Sequence, residues 1–275
     1  LAQHRREPLV EVHPDDAALA GLTDGGLAHV LTRVGAAAFR VLVTTAQPRG
    51  TLFVPMHWTD VQASGGRGNL LPDQSVDPVS GQPGFKDSAA RIVPLTADWR
   101  GFLVRTDGVA PAGVDWWCRS RIEGGWLYEL AGNGAVDVDG LLPAGERIEV
   151  ADPVRGMRRL AVRDGAGQLV GALHVTRSGT LLPRDWLAGQ LGKAGAAGIE
   201  LLAGRPSTPA PDRGPIVCVC LGVGRKQIDA AICGSARTVE AIGKAVGAGT
   251  NCGSCRPAIA GLLREWTGQT AEALA

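Results

Sequence analysis

The sequence predicts a multidomain chain that is mainly β, with a small α-helical domain at its C-terminal end. Its 275 residues are enough for two or three domains, and 45% are hydrophobic while 20% are charged, as in ordinary globular chains. Residues 8–202 contain short strand-like runs separated by Gly- and Pro-rich turns. After a Pro-rich linker at residues 203–216, the apolar residues adopt helical spacing.

Charge and hydropathy exclude several functional classes. The net charge of +1 gives no field that favours nucleic acid or a membrane surface. No apolar run approaches the roughly eighteen residues that a membrane span requires. Six cysteines without a secretory signal predict a reducing compartment, the cytoplasm. The first residue is Leu1, so we expect a fragment or a chain numbered from an internal position.

Residues 1–95 are predicted to form a compact, barrel-like β domain with one short helix. Alternating apolar residues predict strands at 8–13, 27–33, 37–44 and 51–55, and acidic residues at its start support a helix at 14–20. Residues 56–86 are too rich in Gly and Pro for regular structure. This domain therefore carries long loops after its strands.

Residues 96–202 are predicted to form a second β-rich domain. Strands are expected at 99–105, 125–130, 157–163 and 168–175, and a helix at 182–191. His174 and Asp185 form no recognisable catalytic arrangement, and no residue of the chain is assigned a catalytic role. We interpret this region as a scaffold that positions the last domain.

Residues 217–275 carry the strongest chemical signal, four cysteines in two close pairs. Cys218 and Cys220 precede Cys252 and Cys255, and each pair can supply two thiolates to one iron or zinc. Helices are predicted at 226–232, at 239–246 with Thr238 as N-cap, and from residue 256, so that Cys255 lies at a helix start. An iron–sulfur cluster is the preferred interpretation, and a structural zinc site or two disulfides are the alternatives.

The two remaining cysteines, Cys118 and Cys233, lie outside this pattern. A cysteine without such partners is most often a small buried hydrophobic residue, and we expect that role for both. The prediction is weaker for Cys233, which lies inside the helical domain.

The cysteine motifs resemble a known family. Val-Cys-Val-Cys-Leu-Gly-Val at 217–223 and Gly-Thr-Asn-Cys-Gly-Ser-Cys-Arg-Pro at 249–257 are similar to the bacterioferritin-associated-ferredoxin-like [2Fe-2S] domain, over residues 217–265. The resemblance implies that Cys218, Cys220, Cys252 and Cys255 are the ligands of a [2Fe-2S] cluster.

A second resemblance lies in the first domain. The segments 8–17, 53–58 (Phe-Val-Pro-Met-His-Trp) and 77–83 (Asp-Pro-Val-Ser-Gly-Gln-Pro) resemble the molybdopterin-dinucleotide-binding domain of bacterial assimilatory nitrate reductases, which implies a double-psi-type β barrel. Glycines 65, 66 and 68 would permit a close approach of the cofactor. The implied cofactor contacts are His57, Trp58, Asn69, Gln82 and Lys86, with Arg67 and Asp77 as weaker candidates. Asn69 and Asp77 could equally form turns, and Trp58 could simply pack.

Together the resemblances imply the C-terminal part of an enzyme that reduces nitrate to nitrite at molybdenum bis-(molybdopterin guanine dinucleotide). The [2Fe-2S] cluster would relay electrons from a ferredoxin, a flavodoxin or a flavin reductase subunit. The molybdenum ligand would lie in upstream catalytic domains of the same chain, so these residues alone are not expected to reduce nitrate. The alternatives are another molybdopterin oxidoreductase, such as a formate dehydrogenase, and a non-catalytic iron–sulfur electron carrier.

The last domain also carries a slight positive excess. We considered that this face meets an acidic electron donor, with an ordinary solvated helix surface as the alternative. The basic residues concerned are Arg225, Lys226, Arg237, Lys244, Arg256 and Arg264.

Overall fold

The chain divides into two compact units. The computed structural model describes residues 6–73, 75–86, 88–208 and 212–272, with side chains up to residue 266. The division falls between Ser207 and Thr208, inside the predicted linker at 203–216. Residues 209–211 of that linker lie outside the described residues.

The first unit opens with a five-stranded sheet. Its strands are β1 (Leu9–Val12), β2 (Leu27–Thr32), β3 (Ala36–Val43), β4 (Leu52–Phe53) and β5 (Ala90–Leu95), and α1 (Pro14–Leu19) follows β1. The order is β4-β1-β3-β2-β5, with β1 parallel to β3 and the other pairs antiparallel. The four predicted strands and the helix are confirmed. The sequence did not indicate β5, because Pro94 interrupts it; the strand lies at the sheet edge, where a proline is tolerated.

A six-stranded antiparallel sheet forms the rest of the first unit. Its strands are β6 (Trp99–Arg105), β7 (Trp116–Ile122), β8 (Gly125–Gly132), β9 (Glu146–Asp152), β10 (Met157–Arg163) and β11 (Leu169–Thr176). The order is β7-β8-β6-β11-β10-β9, and three short helices accompany it: α2 (Val138–Leu141), α3 (Asp185–Ala188) and α4 (Gly198–Ala203). The helix expected at 182–191 is the four-residue α3. The two edge strands, β7 and β9, were not predicted, and β9 is largely exposed and charged.

The two sheets of this unit meet through a small apolar cluster. Trp58, Ala63, Trp116 and Cys118 are all buried there, together with Leu27 and neighbouring alanines. Ala63 bridges to Cys118 in an antiparallel pairing. The burial predicted for Cys118 is confirmed, and burial also raises the pKa of its thiol well above the usual value.

A buried ion pair ties α3 to the second sheet. The Arg184 guanidinium donates two bonds, of 2.8 and 2.7 Å, to the Glu129 carboxylate on β8. Only 8% of the Glu129 side chain is exposed. Burial raises the pKa of Glu129, and the bonds from Arg184 act in the opposite direction. The Arg184 guanidinium also lies over the Phe102 ring, 5.2 Å from its centroid.

The second unit contains a two-stranded sheet and three helices. These are β12 (Ile216–Cys218), β13 (Val223–Gly224), α5 (Arg225–Cys233), α6 (Val239–Val246) and α7 (Arg256–Glu272). The Thr238 hydroxyl accepts a 3.1 Å bond from the Ala241 N–H, which confirms the predicted N-cap. All three predicted helices are confirmed, but Cys233 is exposed rather than buried. Among the described residues, no helix is both long and apolar enough to cross a membrane.

Candidate metal centre and cofactor loops

The four cysteines of the second unit converge from three short segments. Cys218 ends β12 and Cys220 lies in the turn that leads to β13, while Cys252 lies in the loop between α6 and α7. Cys255 directly precedes α7, and its carbonyl accepts a 3.0 Å bond from the Ile259 N–H. Cys255 therefore takes the N-cap position, and its predicted place at a helix start is confirmed.

The closest thiols come from different motifs. The Cys220 and Cys252 sulfurs are 3.0 Å apart. The thiols of Cys218 and Cys255 influence each other's ionisation, and the charge on Cys218 also influences that of Cys220. The two pairs therefore lie side by side. This differs from the sequence-based expectation that the two cysteines of one motif serve one metal ion.

The two pairs also differ in exposure. Cys218 and Cys255 have 2% and 7% of their surface exposed and pack in the core with Ile228, Ile242 and Ile259. Cys220 and Cys252 are both exposed. A metal group held by all four thiols thus has a buried side and a side that faces the surface.

Backbone amides surround the sulfurs. The Gly249 amide favours the ionised form of both Cys218 and Cys255, and the Leu221 amide favours that of Cys218, so each acts to lower a thiol pKa. The amides of Cys252 and Ser254 act in the same direction on the pKa values of the exposed pair. Left-handed backbone at Gly249 (φ +84°) helps to turn this loop inward, and Arg256 and Ile259 leave little room for a Cβ there. Such converging N–H groups stabilise anionic sulfur.

The thiol pKa values follow these contacts. The bond with the Cys220 thiol, followed by the Ser254 hydroxyl and amide, lowers the pKa of Cys252 to about 7. The Gly249 amide lowers the pKa of Cys218. The bond with Cys252 raises the pKa of Cys220, and burial raises the pKa of Cys255. Within each pair the pKa of one thiol is thus lowered and that of the other is raised.

The chemistry of this donor set fits an iron–sulfur cluster. Two adjacent thiol pairs can offer two ligands to each of two irons, and four cysteine ligands suit a [2Fe-2S] cluster.

Half of the six basic residues proposed from the sequence as a docking face pair with carboxylates of the same unit. Arg225 pairs with Asp229 and Glu265 at 3.4 and 2.8 Å. Lys226 pairs with Asp212, and Arg256 pairs with Glu240. The donor-docking hypothesis stays a prediction.

The candidate dinucleotide contacts lie on the long loops between β4 and β5. His57, Asn69, Gln82 and Lys86 are exposed, and Asn69 lies on a 3₁₀ turn, Gly68–Leu70. In the described part of these loops, no hydrogen bond joins these four side chains to one another. These exposed imidazole, amide and ammonium groups are of the kind that bind phosphates, hydroxyls and a base edge.

Two candidates also have structural roles. Trp58 is 92% buried, since only 8% of its surface is exposed, and it packs in the apolar cluster between the sheets. The Asp77 carboxylate accepts bonds of 3.0 and 2.7 Å from the Val79 and Ser80 N–H groups, as in a turn former. These are the alternatives that the sequence left open for both residues.

The three glycines of these loops differ in how much space surrounds them. A Cβ on Gly66 would lie 2.8 Å from the Ala63 Cβ, and one on Gly68 would lie 3.0 Å from Val54. Gly65 has open space around it and left-handed backbone at φ +64°. Of the three glycines, Gly65 is thus the one that leaves room for close approach of a ligand.

Both ends of the chain match known protein families. Residues 1–89 match the family described as Molydopterin dinucleotide binding domain. Residues 216–265 match the BFD-like [2Fe-2S] binding domain, and this range contains all four cysteines. The chain carries one domain of each family. The dinucleotide domain contains the exposed loops, and the cluster domain contains the converging thiols.

One curated relative is similar to this chain across both of the matched regions. A nitrate reductase of Klebsiella oxytoca is 36% identical over 271 residues, which is 96% of this chain and 31% of that protein. The assimilatory nitrate reductase catalytic subunit of Bacillus subtilis (strain 168) is 34% identical over 34% of the chain and 13% of its own length. The F420-dependent formate dehydrogenase subunit alpha of Methanocaldococcus jannaschii is 27% identical over the same shares. The chain therefore spans less than a third of these relatives.

Sequence reasoning missed the amide donors at the thiols. Leu221 and Gly249 carry no chemical signal in their side chains, so their part in the site depends on backbone conformation alone, whereas Ser254 also contributes its hydroxyl. The available signal was the density of glycines around the second motif, at 247, 249 and 253, all of which have positive φ.

Proposed function

We propose that the chain is the C-terminal part of a molybdenum-dependent assimilatory nitrate reductase of the reducing cytoplasm. The convergence of four thiols among backbone amides, in a chain that also carries the dinucleotide domain, supports this function best. Similarity to a nitrate reductase over 96% of this chain, which is 31% of that protein, supports nitrate as the substrate. In this proposal the first sheet belongs to a double-psi-type barrel, and the second unit is a small helical cluster domain.

The residues of the chain have distinct tasks in this proposal. When bound, the [2Fe-2S] cluster supplies single-electron transfer and the molybdenum centre supplies oxo transfer between nitrate and nitrite. Cys218, Cys220, Cys252 and Cys255 hold the cluster, and the Gly249 amide stabilises its charge. His57, Asn69, Gln82 and Lys86 bind the dinucleotide part of the molybdenum cofactor.

Electrons enter at the exposed thiol pair, because Cys220 and Cys252 face the surface while Cys218 and Cys255 are covered. The donor is a ferredoxin, a flavodoxin or a flavin reductase subunit, and upstream domains of the same chain complete the molybdenum site. Transfer over a short distance favours a donor that docks beside Cys220.

The electron relay can be tested in the complete reductase with a Cys252→Ser variant. We expect nitrate reduction driven by reduced ferredoxin or flavodoxin to fall to background, because the entry point is damaged. A reduced viologen is small enough to reach the inner cofactors directly, so viologen-driven activity is retained. Cys233→Ser, an exposed cysteine of the same domain, is the control that keeps both activities. Equal loss of both activities in the Cys252 variant would contradict the relay.

The dinucleotide contacts can be tested in the same enzyme with Gln82→Ala. Loss of one hydrogen bond worth about 1 kcal/mol should lower cofactor affinity about fivefold. Under limiting cofactor supply, we expect less guanine nucleotide to be released per chain on acid treatment. Gln47→Ala, which removes a half-buried amide that donates to the Thr51 hydroxyl elsewhere in the domain, is the control. Unchanged nucleotide content in the Gln82 variant would remove this residue from the proposed contacts.

Activity assays on the same purified enzyme distinguish the alternative functions. The formate dehydrogenase relative aligns with a third of the chain, whereas the Klebsiella nitrate reductase aligns with nearly all of it. Formate oxidation without nitrate reduction would favour the formate dehydrogenase alternative. Absence of both activities, with an intact reducible cluster, would favour the non-catalytic carrier.

A further inference from the structure

The second sheet carries a pocket that the proposed function does not use. A cavity of about 300 Å³ lies beside β10, β11 and the segment that follows β11. A volume of this size lies at the lower end of the range for small-molecule sites. The side chains that line it include Arg155, Met157, Arg159, His174, Leu181 and Leu182. One side of the pocket is therefore apolar and another is basic.

His174 brings unsatisfied polar atoms to this pocket. The residue is 1% exposed, and neither ring nitrogen has a hydrogen-bond partner of normal geometry among the described residues. The Leu201 carbonyl lies nearby and favours the protonated ring, but burial and the charge of Arg159 outweigh it and lower the pKa of His174 to about 4. At neutral pH the ring is neutral and offers one N–H donor. Buried polar groups ordinarily have partners, so a donor left free at a cavity indicates a missing acceptor.

Arg159 brings a positive charge that lacks a carboxylate. Its guanidinium is partly buried and donates a 3.3 Å bond to the Leu202 carbonyl. None of the ion pairs found among the described residues includes Arg159, whereas its neighbour Arg158 pairs with Glu149 at 2.7 Å. Arg184, the other cation near His174, is already neutralised by Glu129.

The charge at the mouth of the pocket is also positive. Arg155 is exposed, and its contact with Asp152 is long, at 3.8 Å. The pocket thus combines one partly buried cation, one neutral donor and an apolar wall of Met157, Leu181 and Leu182. A singly charged, planar carboxylate matches the single partly buried guanidinium of Arg159.

We propose that this pocket binds a small organic carboxylate. Its head group lies between Arg159 and His174, and its short apolar body lies against Met157, Leu181 and Leu182. The site is independent of the cluster and of the dinucleotide loops, so its failure would leave the proposed nitrate reductase function untouched.

The probes are butyrate, acetate and butyramide, titrated calorimetrically into the complete chain. We expect butyrate to bind roughly tenfold more tightly than acetate, because it buries two additional methylene groups. Butyramide has the same shape without the charge, and we expect no measurable binding. Equal affinity for butyrate and butyramide would overturn the proposal, as would the absence of butyrate binding.

Two variants on one strand locate the site. Arg159→Gln keeps a donor for the Leu202 carbonyl but removes the charge, and we expect it to weaken butyrate binding about tenfold or more. Arg158→Gln makes the same change at the neighbouring position, whose side chain does not line the pocket, and should leave binding unchanged. Equal effects of the two variants would contradict the assignment.

A measurement on the unmodified chain does not require any variant to fold. With ¹⁵N-labelled histidine, butyrate should shift the imidazole signals of His174 and leave those of the exposed His57 in place. Butyrate binding without any shift of the His174 signals would place the ligand elsewhere and refute this site.

Discussion

Replacing Cys218 or Cys255 by Ser should abolish cluster assembly in the complete chain. Both sulfurs lie in the core of the second unit, where water cannot reach to replace a lost ligand. A serine hydroxyl there ionises far less readily than a thiol and leaves one iron short of a thiolate. After anaerobic reconstitution, we expect iron and sulfide contents near zero for either variant.

The exposed pair gives the matched comparison for this prediction. Cys220→Ser and Cys252→Ser remove ligands at the surface, where the serine oxygen or water can complete the iron. We expect these variants to retain part of the iron with an altered EPR spectrum, and Cys233→Ser to retain all of it. Equal retention in the buried-pair and exposed-pair variants would contradict the assignment of a covered and an exposed iron.

Replacing Glu129 by Gln should lower the free energy of unfolding of the first unit by about 3 kcal/mol or more, since it leaves a partly buried charge without its partner. The pair is bidentate, and Arg184 links α3 to the second sheet through both Glu129 and Phe102. Denaturant unfolding followed by tryptophan fluorescence reports this unit, because six of the seven tryptophans lie in it.

Glu149→Gln is the control for that measurement. It removes the carboxylate of another arginine pair in the same sheet, with 32% and 41% of the two side chains exposed. Solvent screening limits such a pair to about 1 kcal/mol or less. If the Glu149 variant lost as much stability as the Glu129 variant, burial would not be the source of the effect.

Most of the cluster site could be predicted from the sequence. The helices of the second unit follow from their apolar spacing, and local signals at Thr238 and Gly247 give the start and end of α6. The four cysteines are grouped by motif in the sequence, but their pairing in space depends on how the α6–α7 loop approaches β12. That arrangement is tertiary, and no local pattern encodes it.

Less of the first unit could be predicted, because its main contacts join residues that are far apart in the sequence. Glu129 and Arg184 are 55 positions apart, and neither has a local signal of pairing. Trp58 resembled a ligand contact by its motif, yet the apolar surface of the second sheet covers it. The lack of a hydrogen-bond partner for the His174 ring could not be predicted, because it depends on how Phe102 and α4 pack around that ring.

The central claim is that the four cysteines hold an electron-relaying [2Fe-2S] cluster, and the most direct test is metal analysis with EPR. The complete chain, reconstituted anaerobically, would be assayed for iron, sulfide and zinc and measured at low temperature before and after dithionite. The account predicts two irons and two sulfides per chain, with an EPR signal that appears on reduction. One zinc per chain without a visible chromophore would contradict it and leave a structural metal site.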